Sequence, residues 1–270
     1  MTNWTTAVCE TNGINLHYTR TGGNKPPVVL LHGLMTNGQC WADVARALEQ
    51  DYDVIMPDAR GHGQSSAPDD GYRYEDHAAD IAGLLTALRL PPAFLLGHSM
   101  GGMTAAVVAS RTPALLRGLV LADPTFLRAK VQREVWDSDV ADQHRQLLTR
   151  SLQKVVAEAR VRHPTRSAET LELFARARLQ TSLRAFEVLR PPNPDYTQVM
   201  QEIRVPSLLV FGDKGLISAA VAEELLGIHP ALQVKQIAHA GHALHLDQPA
   251  RFAAVVKGFL RSAGVDSLAR

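Results

Sequence analysis

The sequence predicts an α/β fold, a mostly parallel sheet flanked by helices with a helical insertion over one end. Three observations carry this reading. Strand-like and helix-like runs alternate through the first 125 residues, the pattern of parallel strands joined by helical crossovers. One short apolar run passes directly into a helix through Gly97-His98-Ser99-Met100-Gly101-Gly102. From Phe126 to about Arg190 no strand-like run appears, and the alternation then resumes.

Asn15–Tyr18 and Val28–Leu31 read as strands, the second an uninterrupted apolar run of the kind buried on both faces. Trp41 to Leu48 has helical spacing, with Trp41, Val44, Ala45 and Leu48 on one side, and Tyr52–Met56 is a strand ended by Pro57. Tyr74–Leu88 is a longer helix whose stripe is Ala78, Ile81, Leu84, Leu85 and Leu88. Pro91-Pro92 breaks it. Ala93–Leu96 is a strand, Met103–Ser110 an alanine-rich helix and Leu119–Ala122 the next strand. The interruption is polar and helical, clearest over Gln146–Arg162 and Glu169–Leu189, and Pro191-Pro192-Asn193-Pro194 closes it. A strand at Ser207–Phe211, a helix at Ala219–Leu226, a strand at Gln233–Ile237 and a helix at Pro249–Leu260 follow. The expected division is an α/β core of residues 1–125 and 191–270, with residues 126–190 as a cap inserted after the sixth strand.

Composition removes several classes of function. A chain of 270 residues can bury a core without metal or disulfide staples. Hydrophobic residues at 46% and charged ones at 20% exclude disordered, collagen-like and coiled-coil chains. Lys plus Arg number 28 against 27 Asp plus Glu, so no chain-wide basic field draws in nucleic acid. No apolar run approaches the roughly 20 residues that span a bilayer, and the N-terminus lacks the features of a signal peptide. A cytoplasmic protein with a small-molecule substrate is expected, with neither nucleic acid nor membrane as a partner. Cys9 and Cys40, without a CxxC, read as small apolar residues in a reducing compartment.

Gly97-His98-Ser99-Met100-Gly101 fits G-x-S-x-G between a strand and a helix, the context in which a sharp turn lifts a serine hydroxyl above the sheet edge. The helix N-terminus behind Ser99 offers unpaired N–H groups and positive potential to a developing oxyanion. His32-Gly33-Leu34-Met35 follows the Val28–Leu31 strand. In that geometry the backbone N–H groups of Leu34 and Met100 point into one hole, while His32 orients the loop. From end to end the chain resembles the α/β-hydrolase fold superfamily, as Asp58-Ala59-Arg60-Gly61-His62-Gly63-Gln64-Ser65 after the fourth strand also does. There Arg60 and Ser65 read as turn-stabilising. The resemblance implies an eight-stranded sheet, a Ser-acid-His triad in that chain order and no cofactor.

Of eleven histidines, His17, His62, His77, His144, His163 and His229 read as surface or packing residues. His242, after Gly241 and before the closing helix, matches the position of the base in the family, with His239 and His245 as neighbours. The three are not spaced for one helical face, so no metal site is expected. The acid is the departure from the family pattern. Most members carry Gly-x-x-Asp after the seventh strand, whereas here Phe211-Gly212-Asp213-Lys214-Gly215 has glycine at that place. Asp213 comes two residues early. Asp123, in Leu121-Ala122-Asp123-Pro124, ends the strand beside that of Ser99. Position favours Asp123 over Asp213.

This arrangement is similar to the group containing N-formylmaleamate deamidases and acetamidomethylene-succinate hydrolases. The cap holds 13 Lys and Arg against 8 Asp and Glu, a balance of +5 that suits an anionic substrate or simply a solvated helical surface. Carboxylester hydrolysis through an acyl-enzyme is the leading expectation. Amide or N-acyl enamine hydrolysis and carbon–carbon bond hydrolysis remain alternatives, and a slow-turnover ligand receptor is the rival outside enzymology. Candidates for the pocket lining are His32, His98, Phe126, Trp136, Leu147 and Phe186.

Overall fold

The computed structural model describes residues 4–266. Eight strands form one sheet: β1 (Thr5–Thr11), β2 (Ile14–Arg20), β3 (Pro27–Leu31), β4 (Asp53–Pro57), β5 (Ala93–His98), β6 (Leu116–Ala122), β7 (Ser207–Lys214) and β8 (Gln233–Gly241). Their order is β1-β2-β4-β3-β5-β6-β7-β8. Only β2 opposes its neighbours; β4, β3, β5, β6, β7 and β8 pair in parallel.

The continuous apolar runs feed two cores, because successive side chains leave a strand on opposite faces. Val29, Leu31, Leu95, Leu119, Leu121, Leu209 and Phe211 pack on one face under α2 (Tyr74–Ala87) and α3 (Met100–Arg111). Val28, Leu30, Phe94, Leu96, Val120, Leu208 and Val210 pack on the other under α1 (Ala42–Leu48) and, at the end of the chain, the helix Pro249–Asp266. Burial on both faces explains why these strands read as apolar runs without alternation.

Between β6 and β7 stand α4 (Ala129–Trp136), α5 (Val140–Leu148), α6 (Leu152–Arg162), α7 (Ala168–Leu179), a 3-10 turn at Leu183–Leu189 and α8 (Tyr196–Glu202). The remaining helices are α9 (Ala219–Ile228), the short α10 (Leu244–Asp247) and α11 (Pro249–Asp266). The expected helix over Gln146–Arg162 is two helices, split where the Ser151 side chain accepts the Lys154 N–H and caps α6. That over Glu169–Leu189 is also divided: Ser182 caps the 3-10 turn, accepting the Arg184 N–H. Trp41 closes a 3-10 turn at Gly38–Trp41 rather than opening α1. β1 had no counterpart in the sequence reading; it is an edge strand, exposed at most positions.

Arg60 and Ser65 act inside the connection after β4. Arg60 grips Asp80 of α2 with Nε (2.7 Å) and Nη2 (2.5 Å), a buried fork-to-carboxylate pair. Ser65 Oγ donates to the Asp58 carbonyl at 2.6 Å and receives the His17 N–H at 2.9 Å. Among the described residues, no helix is long and apolar enough to cross a membrane.

Candidate active site

Ser99 sits between the last residue of β5 and the first of α3, at φ 55 and ψ −121. A non-glycine residue holds such a backbone only under constraint from its surroundings. Here its carbonyl takes the N–H groups of Gly102 (2.9 Å) and Met103 (3.2 Å), and its own N–H reaches the Ala122 carbonyl at 3.2 Å. The turn is thus tied to α3 and to the end of β6.

The side chain of Ser99 is within reach of His242, which follows β8: Ser99 Oγ and His242 Nε2 are 3.0 Å apart. His242 Nδ1 is 2.6 Å from Asp123 Oδ2. A carboxylate only accepts, so Nδ1 carries a proton, and in the neutral imidazole Nε2 is then bare toward the serine hydroxyl. Asp123 lies one residue past β6 with φ 42 and is 0% exposed. A buried carboxylate needs partners, and it has three: besides His242, the N–H of Leu216 reaches Oδ2 (2.8 Å) and that of Ile217 reaches Oδ1 (3.0 Å).

The alternative acid is elsewhere. Asp213, exposed beside an irregularity in the β7–β8 pairing, accepts the N–H groups of His239 and Ala240 at 3.0 Å each. Those two bonds hold its carboxyl below the usual range. Gly215 stands against Asp123: a Cβ there would lie 2.6 Å from Asp123 Oδ1 and 2.7 Å from Oδ2. A glycine at this position leaves room for the carboxylate arriving from β6.

The loop after β3 abuts Ser99 so closely that a Cβ on Gly33 would lie 3.1 Å from Ser99 Cβ. His32 fixes this loop. Its Nδ1–H donates to the Gly33 carbonyl at 2.8 Å and its Nε2 accepts the Ala59 N–H at 2.9 Å. His62, buried and beside His32, accepts the Met35 N–H at 3.3 Å, so it braces the same loop. Burial pushes both imidazoles below their ordinary pKa. Leu34 lies in this loop, and Met100 heads α3, where first-turn N–H groups lack helical acceptors.

A cavity of about 270 Å³ has Ser99, His242, His32, His98 and Leu34 in its wall. His98 donates Nε2–H to the His242 carbonyl at 2.8 Å and its ring lies 4.6 Å from that of His242. His245 packs 4.5 Å from Trp41. Burial lowers the His98 pKa well below its usual value and that of His245 to about 3. Both are therefore weak bases beside the partly exposed His242. Cys40 also borders the cavity, but burial pushes its thiol up to about 12, which removes it as a nucleophile at neutral pH.

Four expected lining residues are elsewhere. Phe126 stacks on Tyr196 with centroids 5.2 Å apart. Phe186 packs on His144 at 4.8 Å, and Leu147 joins Val155 and Ala175 in the small core of the insertion. Trp136 is 37% exposed on α4. The insertion wall is made instead by α6 and α7, with Val155, Leu171, Phe174, Ala175 and Arg178, joined by Arg166 from the loop between them. Leu171, Phe174, Ala175 and Arg178 stand at i, i+3, i+4 and i+7, the spacing of one helix face. That period was legible; which element it faces was not.

The model of the alpha/beta hydrolase fold family matches residues 26–249. N-formylmaleamate deformylase of Pseudomonas putida is 33% identical over 92% of this chain and 94% of its own length. The sn-1-specific diacylglycerol lipase of Mus musculus is 30% identical over 87% of this chain and 81% of its own. The crystal structure of E-2-(acetamidomethylene)succinate hydrolase superposes with a TM-score of 0.85 at 24% identity, covering 96% of this chain and all of that one. With its sheet order, its strained serine turn and a family match across most of its length, this chain belongs to the alpha/beta hydrolase fold family.

Proposed function

We propose that the protein is a serine hydrolase that cleaves a small carboxylic ester through an acyl-enzyme. One observation carries this reading: the continuous relay from Ser99 Oγ through His242 to the buried Asp123 carboxylate, at 3.0 and 2.6 Å. Ser99 Oγ attacks the carbonyl carbon while His242 Nε2 takes its proton. Asp123 holds the imidazole in the competent tautomer and stabilises the imidazolium. The N–H groups of Leu34 and Met100 bind the oxyanion, each contributing about 3 kcal/mol to the transition state. His242 then protonates the leaving alcohol, and a water deprotonated by the same nitrogen releases the acid and restores Ser99. The core of residues 1–125 and 191–270 supplies this machinery, and the insertion of residues 126–190 covers it.

An amide substrate is the second reading, favoured by the 33% identity to a protein named as a deformylase. The same relay serves both, with a poorer leaving group in the amide.

The test is turnover of p-nitrophenyl esters and matched p-nitroanilides by the wild type and by Ser99→Ala. Multiple turnovers of the ester, at least about 10³-fold slower in Ser99→Ala, are expected, together with labelling of the wild type by a fluorophosphonate. Faster turnover of the anilide selects the amide reading. Undiminished activity in Ser99→Ala, or a single turnover followed by a stable complex, would sink the hydrolase reading.

A further inference from the structure

Arg178 occupies an unusual place for a guanidinium. It stands at the i+7 position of the otherwise apolar α7 face of Leu171, Phe174 and Ala175, and it lines the same cavity as Ser99. Among the described residues the one hydrogen-bond partner of its guanidinium is the Met35 thioether, at 3.8 Å from Nη2. That sulfur is a weak acceptor. No carboxylate among the described residues pairs with Arg178, and burial together with the nearby Arg162 lowers its pKa. A partly buried cation without a counter-ion is unfavourable unless something else meets its charge.

The rest of the cavity does not supply that charge. Its described lining contains Arg166 and Arg178 but neither Asp nor Glu. Arg166 is already engaged with Asp247 at 3.2 Å, and Asp247 in turn accepts the Gly241 N–H. His163, also in the wall, is neutral or cationic and so supplies no negative charge. Much of the remaining wall is apolar, with Leu34, Val155, Leu171 and Phe174. The cavity therefore combines a nucleophile, apolar side chains and a guanidinium that no described carboxylate pairs, and Arg178 also borders a second cavity with His144, Arg150 and Arg162.

We infer that Arg178 binds a carboxylate of the substrate, so that the preferred substrates are half-esters or half-amides of small dicarboxylic acids. This rests on the serine-hydrolase reading and specifies its substrate class. A planar guanidinium fork matches a carboxylate in two parallel hydrogen bonds, and the cavity of about 270 Å³ has room for a small acid beside it. The carboxylate replaces the missing counter-ion of Arg178, while Leu171 and Phe174 pack on the methylene chain.

The experiment compares p-nitrophenyl half-esters of dicarboxylic acids, from glutarate to suberate, with methyl-ended esters of equal carbon count. At the length that spans the cavity, the half-ester should win by about tenfold or more in kcat/KM. Arg178→Gln should collapse that ratio toward one, and Arg178→Lys should keep part of it. A variant that merely folds poorly lowers both rates and leaves the ratio alone. If no half-ester is preferred at any length, or the preference survives in Arg178→Gln, the assignment is overturned while ester turnover still supports the hydrolase reading. If no ester turns over, glutarate and adipate are titrated calorimetrically into the Ser99→Ala and Ser99→Ala/Arg178→Gln proteins. Binding lost with Arg178 upholds the carboxylate site even where the hydrolase reading fails, and equal or absent binding overturns it.

Discussion

β6 and β7 are neighbours in the sheet, and each brings an aspartate to the same edge. The carboxylate after β6, Asp123, is fully buried and takes three N–H groups, one of them from an imidazole. The one in β7, Asp213, is exposed and takes two backbone N–H groups, those of His239 and Ala240 near the end of β8. Residue type is the same; the surroundings differ. A buried carboxylate opposite an imidazole fixes a tautomer and a charge, whereas an exposed one on backbone donors fixes a strand end. In the proposed relay the acid comes after β6, and Gly215 leaves the space that its carboxylate fills.

The largest expected effect separates the two aspartates directly. Asp123→Asn should lower kcat by about 10⁴-fold with the fold retained. An asparagine has one acceptor oxygen for the three donors that meet Asp123. Its NH₂ therefore faces a donor whichever way it turns, and the negative charge opposite the imidazolium is gone. Stopped-flow or steady-state hydrolysis, alongside a circular dichroism spectrum that matches the wild type, reads this out. Loss within tenfold would break the assignment of the acid to β6.

A second expectation tests the vacated place. Gly215→Ala adds a Cβ 2.6–2.8 Å from the Asp123 carboxyl, a separation that forces movement. That carboxyl is pinned by its three donors, so the shift passes to His242. Overpacking of this kind costs about 1–3 kcal/mol of stability, and misplacing a catalytic group by about 1 Å costs up to 10²-fold in rate. Urea midpoints and kcat measured on the same preparation should fall together. Wild-type values in both would mean that the glycine is incidental.

What the sequence made legible tracks how local each constraint is. Ser99 was readable because a strand, two flanking glycines and a helix all lie within a few residues of it. His242 and Asp123 needed chain order plus distance to the sheet edge, and the spacing of 24 residues from Ser99 to Asp123 carried that information. The cavity lining was not legible. Phe126, Trp136, Leu147 and Phe186 are large apolar residues in the right segment, yet they pack on Tyr196, on His144 or within the insertion, or face solvent. A helical period reports which residues share a face but not what the face meets, and that is decided by long-range packing. β1 escaped for the opposite reason: as an exposed edge strand it carries no apolar run.

The smallest effect closes the comparison. Asp213→Asn retains an oxygen that can accept one of the N–H groups of His239 and Ala240, and solvent replaces the other partner because the site is exposed. The residue touches neither Ser99 nor His242 among the described contacts, so kcat should stay within about threefold of wild type. What should change is the acid side. The two backbone bonds hold the Asp213 carboxyl below its ordinary pKa, so its folded form binds a proton less readily than its unfolded form. The stability it confers is therefore complete above the unfolded carboxylate range and is lost as pH falls through the folded value. Asp213→Asn removes that increment, so its Tm deficit should shrink toward zero as the medium is acidified below about pH 4. Melting curves at pH 7 and at pH 3.5 give the two deficits. If the deficit instead grows on acidification, or if kcat falls as far as in Asp123→Asn, Asp213 belongs with the relay and the contrast between the two strand ends fails.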